Sequence, residues 1–402
     1  FNLINGYKLI ETWQITIGNK YPSTEHGKQK YVDEDTYKTW FRSGHPQNKD
    51  ILFSTVGESV PQFCFAPDNE EVCIAQNLIG IRPNKDIVDP VFLLSFFKTR
   101  YFVQSVKNRL IVTAQPSIKV PHLMGIDILV PSIHEQRAIA NVLSAIDDKI
   151  ELLREQNNTL NAIAKATFRR WFENFDFLSE DGKPYKSIGK KMFDSELGEI
   201  PEGWRVGKLT EMFDFMEGPG IRNWQYAESG RRFINIRLIQ DGDIIIKDAN
   251  FISEEEAEST YKHFHLQDRD MVVSTSGTLG RSAIVRKEHL PLMLNTSVIR
   301  FRPIDKCSYG FMYLFLNSRF FQNELESLAS GSVQLNFGPV HLKQIEMIIP
   351  STDVLRRFAE LVNPIYKKIS FNLSQIETLS GLRDCLLPKL MRGELRVKGF
   401  NG

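Results

Sequence analysis

The chain has 402 residues, 42% apolar and 25% charged, a balance that suits two or three compact domains and excludes both disorder and a small disulfide-stapled module. Its 50 basic and 49 acidic residues leave a formal net charge of +1, so any binding of a polyanion must be local. No stretch approaches the ~18 consecutive apolar residues of a membrane span, and no basic-then-apolar export segment opens the chain, which predicts a cytoplasmic protein without a membrane partner.

Taken in chain order, the sequence opens at Phe1 already in strand-like residues, and some N-terminal residues are expected to be missing. Residues 1–132 read as short β-branched and aromatic runs broken by Gly, Pro, Asn and Ser, with one helical stretch near 89–107, the pattern of a mixed α+β domain. After Pro131-Ser132 the turn signals become sparse, which predicts a long helix over 133–171, with Ser132 and Glu135 at capping-box spacing. Residues 172–202 read as a linker that delivers Leu197-Gly-Glu-Ile-Pro-Glu-Gly-Trp204 into a second mixed domain over 203–351. A second long helix follows over 352–391, then a tail over 392–402. Pro364 is expected to kink that helix and Pro388 to kink it or end it early.

Each long helix carries a seam with alternating steps of four and three. In the first it runs Ile139, Leu143, Ile146, Ile150, Leu153, Asn157, Leu160, Ala164, Thr167 and Trp171; in the second, Phe358, Val362, Ile365, Ile369, Asn372, Ile376, Leu379, Arg383, Leu386 and Leu390. Two such seams favour a helix pair, a stiff spacer of roughly 50 Å at ~1.5 Å rise per residue. Partners in an antiparallel pair share a constant sum of residue numbers. Setting Asn157 against Asn372 places Ile150 by Leu379, Leu153 by Ile376 and Trp171 by Phe358, and lets two amides meet that apolar layers would strand singly. The alternative is that both asparagines face solvent or a partner.

The chain also repeats itself. Asp50-Ile-Leu-Phe-Ser-Thr-Val-Gly57 recurs as Asp270-Met-Val-Val-Ser-Thr-Ser-Gly277, and Leu78-Ile-Gly-Ile-Arg-Pro83 as Val298-Ile-Arg-Phe-Arg-Pro303. The offset is 220 in both pairs. Two long units make a duplication rather than a solenoid of short repeats.

Catalytic signatures are missing. The sequence holds no GxxxxGK, GxGxxG, HExxH or GxSxG motif, so nucleotide hydrolysis, dinucleotide redox and the common hydrolase readings lack their geometry. Cys64, Cys73, Cys307 and Cys385 show no CxxC spacing and read as reduced core thiols, and His263 and His265 as exposed loop histidines rather than ligands. No metal or cofactor is expected. Glu254-Glu-Glu-Ala-Glu258 reads as a solvated first helical turn.

What remains is hydrogen-bonding loop chemistry. Ser274, Thr275, Thr278 and Arg281 group hydroxyls and a guanidinium with glycines after a strand, groups that hold phosphates, although a plain turn explains them too. Their counterparts Ser54 and Thr55 lack the arginine, and Glu58 replaces the second threonine. Ser332, Gln334 and Asn336, matched by Gln115, Ser117 and Lys119, place amides that can read base edges. Arg222, Asn223, Gln225, Arg231 and Arg232 cluster with Trp224 and Tyr226, a basic, amide-rich surface with interleaved aromatics. A merely solvated loop reads equally well.

On these residues the sequence resembles a known family. Ile128-Leu-Val-Pro-Ser-Ile-His-Glu-Gln-Arg137, Leu197–Trp204, Asp270–Gly277 and the ending Leu387-Pro-Lys-Leu-Met-Arg-Gly-Glu-Leu395 are similar to the specificity subunit, HsdS, of type I restriction-modification systems. The chain departs from that pattern at Leu355, where the family's glutamine is replaced, and in lacking a Gly-Trp segment ahead of the first domain. The resemblance implies an α+β fold: two duplicated mixed α/β target recognition domains separated by two long antiparallel coiled-coil helices, with pseudo-two-fold symmetry. It implies that each domain reads one half of a bipartite site on double-stranded DNA. It further implies that two methyltransferase subunits dock on the helices, that restriction and translocase subunits join the complex, and that the chain itself is non-catalytic. The residues alone leave open a nuclease with an unrecognised carboxylate site, a fused methyltransferase, or a coiled-coil assembly scaffold.

Overall fold

A computed structural model describes residues 6–397 apart from 18, 24–26, 41–43, 58, 112–113, 180–181, 241, 277–279, 306–307 and 330–336. Of the residues singled out above, Glu58, Thr278, Cys307, Ser332, Gln334 and Asn336 lie outside the described ones. The chain divides into two compact units, 1–151 with 377–402, and 152–376. Each unit therefore takes a part of both long helices.

In the first unit the strand Ile51–Ser54 lies between Phe63–Phe65 and Leu78–Ile81. Its four residues are all buried. Phe53 and Phe63 face the helices Pro90–Phe97 and Arg100–Lys107, whose Phe97 and Phe102 rings stack 4.0 Å apart. The single helical stretch expected over 89–107 is thus two helices. Asp89 caps the first by accepting from the Val91 and Phe92 amides, and the Thr99 hydroxyl starts the second by accepting from Phe102 N. Ile139 and Leu143 of one long helix and Leu387, Leu390 and Met391 of the other close this core. A second sheet sets Tyr7–Ile10 parallel to Val72–Ile74 and antiparallel to Lys30–Val32.

The second unit repeats the plan with a four-stranded sheet in the order Phe213–Glu217, Val298–Pro303, Met271–Ser274, Ser282–Ile284. The duplication holds in atomic detail. Ile51 pairs with Ile81 and Ser54 with Leu78, while 220 residues on Met271 pairs with Phe301 and Ser274 with Val298. Asp50 binds the Arg82 guanidinium at 2.7 Å, and Asp270 binds Arg302 at 2.7 Å. Asp50 also accepts from Gln47 N, as Asp270 does from Gln267 N.

The long helices run Ile133–Phe168, continued by a π turn over Arg169–Glu173, and Thr352–Met391. Ser132 Oγ accepts from Glu135 N at 3.3 Å. Every seam residue is buried or half-buried. In the second unit Asn372 Nδ2 donates to Asn157 Oδ1 at 2.8 Å and the Trp171 and Phe358 rings sit 5.6 Å apart, as the constant-sum register expects. In the first unit Arg383 leaves the apolar seam to bind Asp147 at 3.0 Å. Neither proline ends the second helix. Pro364 and Pro388 are exposed, as are Glu360 and Asp384, whose carbonyls the prolines deprive of an amide partner.

Three further sequence expectations change. Residues 172–202 are built into the second unit's core: Phe172, Phe175 and Phe177 surround the buried Trp204 at ring distances of 5.8, 5.6 and 5.2 Å. Cys64 and Cys73 are buried as expected, but Cys385 is exposed on the outer face of its helix. Burial pushes the Cys64 thiol far up and the Cys73 thiol to about 11, so neither is a thiolate at neutral pH. Finally, His265 is half-buried and bonded, for the reason given below. Among the described residues no helix is long and apolar enough to cross a membrane.

Candidate nucleic-acid interface

The duplicated framework presents its loops in the same way twice. In the first unit Thr55 N donates to Asn77 O at 2.9 Å, and in the second Thr275 N donates to Ser297 O at 3.0 Å. Asn77 and Ser297 share a left-handed backbone, φ 74° and 64°. Such a residue turns the chain sharply at the sheet's edge, where asparagine is among the few non-glycine residues that fit easily.

In the first unit this edge opens on a cleft of about 410 Å³ lined by Thr12, Val56, Gly57, Asn77, Ala114 and Gln115. Gln115, expected from sequence, reaches it. Ser117 holds the cleft's wall through its backbone, exchanging hydrogen bonds with Ile111, while Ile118 N donates to Thr55 O. Thr55 Oγ1 donates to Asn77 O at 3.0 Å and the buried Ser54 Oγ to Val56 O at 3.1 Å, so both hydroxyls serve the loop's own shape. Lys119 is exposed at the start of the helix Val120–Met124. Sequence reasoning missed Thr12 and Asn77. The Asn77 turn was legible as a polar break before Leu78, whereas Thr12 arrives only through the parallel pairing of Tyr7–Ile10.

In the second unit the expected phosphate loop is largely committed elsewhere. Ser274 and Thr275 are fully buried, and Arg281, half-buried, donates to Ile239 O at 3.1 Å. A guanidinium spent on a backbone carbonyl braces the loop rather than waiting for phosphate.

The cluster around Trp224 divides in the same manner. Arg231 is 8% exposed; its guanidinium binds Glu254 and Glu258, and it contacts His265 at 3.1 Å. Burial opposes its charge, but the two carboxylates outweigh that and hold its pKa above the usual arginine value. The run Glu254–Glu258, capped by Ser253, is therefore a counter-ion for a buried arginine, and His265 completes the group by bonding Ala257 O. Gln225 uses its amide on Glu256 and Tyr261, and its carbonyl accepts from Arg222 N. What remains outward is Arg222, Asn223 and Trp224, the last 81% exposed, beside Tyr226. Arg232 lies 5.7 Å over the Phe251 ring. The half-buried Gln225 ties the short turn Asn223–Gln225 to Glu256 and Tyr261, and a basic, an amide and an aromatic side chain project from that ledge.

Such an arrangement can do two things: stack or wedge an aromatic ring against bases, and donate from amide and guanidinium groups to base edges and phosphates. Residues 1–162 and 201–379 match the type I restriction modification DNA specificity domain.

The chain belongs to that family. It is 32% identical over 323 residues to the type I restriction enzyme MjaIX specificity subunit of Methanocaldococcus jannaschii, covering 78% of this chain and 71% of that protein. It is 26% identical over 402 residues to the HindI specificity subunit of Haemophilus influenzae, covering 86% of each. The crystal structure of a type I restriction-modification S subunit from M. genitalium shares its fold, with a TM-score of 0.53 at 18% identity over 96% of this chain and 92% of that one. As a specificity subunit, the chain recognises DNA.

Proposed function

We propose that each mixed domain reads one half-site of a bipartite DNA target, that the long helices set the gap between half-sites, and that methyltransferase subunits dock on those helices, with restriction and translocase subunits joining the same complex. In this reading methyl transfer and cleavage are carried out by those partners, and this chain contributes recognition without chemistry. The observation that carries it is the framework repeated at an offset of 220, Asp50–Arg82 and Asp270–Arg302, beneath loops that differ: an amide-lined cleft in one unit, the Arg222–Trp224 ledge in the other. Like frames under unlike loops suit two readers of two sequences.

Exchange of residues 205–350 for those of a relative tests it. Selection of bound DNA from a random library is expected to return one altered half-site and one unchanged. If both halves change together, the two domains do not read separately.

A further inference from the structure

A buried arginine that DNA reading does not use ties the second unit's mixed domain to its long helix. Arg286, 2% exposed, follows the strand Ser282–Ile284. Its fork closes on Asp243, Nε donating to Oδ1 at 3.2 Å and Nη2 to Oδ2 at 2.8 Å, while Nη1 donates to Ser374 Oγ at 3.0 Å. Ser374, on the helix Thr352–Met391, in turn donates to Glu288 Oε1 at 2.6 Å. His289, fully buried, accepts from Arg286 N at 3.1 Å through Nδ1 and holds Nε2 3.2 Å from Asp243 Oδ1. A buried charge needs such partners, and taking one away leaves it under-bonded. Asp243 lies on the hairpin that pairs Ile239 with Ile244, and the hairpin's other strand accepts from Arg281 at Ile239 O. Two arginines on either side of the strand Ser282–Ile284 therefore brace one hairpin, and Arg286 carries it across to the helix.

The place of that contact along the helix gives it a role. The second unit's apolar core holds the helix over 354–366, through Val354, Leu355, Phe358 and Val362 and through the Tyr366 ring, 5.0 Å from that of Tyr313. Ser374 lies one further turn and more beyond, a rise of ~12 Å from Tyr366. A domain gripped at one stretch can tilt about it, whereas a second grip further along fixes the angle. Ser374 also stands just past Asn372, whose amide bonds Asn157 of the other helix at 2.8 Å. The domain is thus locked to its helix where the two helices are locked to each other. The duplicated framework forms without this contact. Val285 N donates to Asp270 O as Ala66 N does to Asp50 O, each at 2.8 Å, so Pro67 takes the place of Arg286 in the first unit. The place of Ser374, where Leu355 answers to Gln136, is taken by the exposed Glu155.

We propose that Arg286 and Ser374 are positioning residues: they fix the angle at which the second mixed domain stands on its helix, and so the gap at which its half-site is accepted. This rests on the reading that the long helices set the gap between half-sites. Without the clasp the domain keeps its own reading loops and loses the constraint on where along the duplex they meet it. One base pair more or less moves a half-site by ~3.4 Å and turns it by roughly 36°, a change that a tilting domain absorbs in part and a clasped one rejects.

The test is selection of bound DNA by the full chain, purified with the other subunits of its system, from a library whose gap varies one base pair at a time. Wild type is expected to return a single gap length. Ser374→Ala is expected to return the same half-site sequences and to discriminate about three- to tenfold less against gaps one base pair longer or shorter, the worth of one hydrogen bond. Ser374→Thr keeps the hydroxyl and is expected to behave as wild type. Arg286→Lys keeps the charge beside Asp243 but loses the fork, and is expected to follow Ser374→Ala should that variant fail to fold. An unchanged gap profile in the folded variants overturns the inference, as does an altered half-site sequence with the gap profile intact, or an equal loss in Ser374→Thr. A heptad added to both long helices separates the two readings. If the gap moves with the heptad and not with Ser374, the clasp does not position the domain; if the gap ignores the heptad, the ruler reading fails and this inference with it.

Discussion

A single carboxylate illustrates how side chains tie the helices to the recognition framework. Asp147 binds Lys98 at 2.7 Å and Arg383 at 3.0 Å, joining both long helices to the end of the helix Pro90–Phe97. Burial pushes its carboxyl up, but Lys98 and Arg383 together outweigh burial and hold it below the usual carboxylate range. A carboxylate whose native pKa is depressed contributes stability that is fully present above its unfolded value near ~3.9 and is lost as pH falls through the native one. Asp147→Asn is accordingly expected to cost about 2 kcal/mol at pH 7, with a difference from wild type that shrinks towards zero in acid, measured by urea denaturation at each pH. A difference that stays constant below pH 4 would show that shape rather than charge matters here. Gln136 acts similarly without charge. Fully buried, it accepts from Asp89 N at 2.8 Å and donates to Ile87 O and Pro131 O at 3.0 and 2.9 Å, clasping the start of the first long helix. Gln136→Leu strands those groups and is expected to cost about 3 kcal/mol in thermal or chemical melts. At the equivalent place the second unit buries Leu355, 6% exposed, and fills the space with hydrocarbon instead.

At the scale of the helix, the Asn157–Asn372 contact is a polar layer in an apolar seam. Asn157→Leu leaves the Asn372 amide with only Gln156 Oε1 at 3.5 Å, an expected loss of about 1–3 kcal/mol. Asn157→Leu with Asn372→Leu is expected to recover most of that loss, because nothing buried is then left unpaired, and a double-mutant cycle reads the coupling directly. Strict additivity of the two single losses would mean that the amides do not depend on each other. These elements were legible in the sequence because long helices and their seams follow periodicity, and because the duplication was visible at a fixed offset. The loops were harder. Arg231, Gln225 and Arg281 carry the composition of a nucleic-acid surface, yet ion pairs and carbonyls within the fold consume them. Side-chain type predicts what a residue can bond, and only the tertiary neighbours decide whether it already does.

At the scale of the whole chain, the first unit is discontinuous: residues 377–402 belong with 1–151, and 152–376 form the second unit without interruption. Leu387, Leu390 and Met391 are part of the first unit's core, and Arg383 is Asp147's partner. A chain ended after Ile376 is therefore expected to keep hydrogen-exchange protection in the strands Met271–Ser274 and Val298–Pro303 and to lose it in Ile51–Ser54 and Pro90–Phe97. Undiminished protection of Ile51–Ser54 would show that the first unit closes without the distal helix. The same threading has a consequence in time. Synthesis at about 5–20 residues per second puts on the order of 10–45 s between residue 151 and residue 376. Through that interval the nascent first unit holds its phenylalanine cluster with one wall absent, while the second unit, all of whose residues are consecutive, can finish. Translation thus completes the molecule from the inside of the sequence outwards, and the earliest residues made wait longest for their last neighbours.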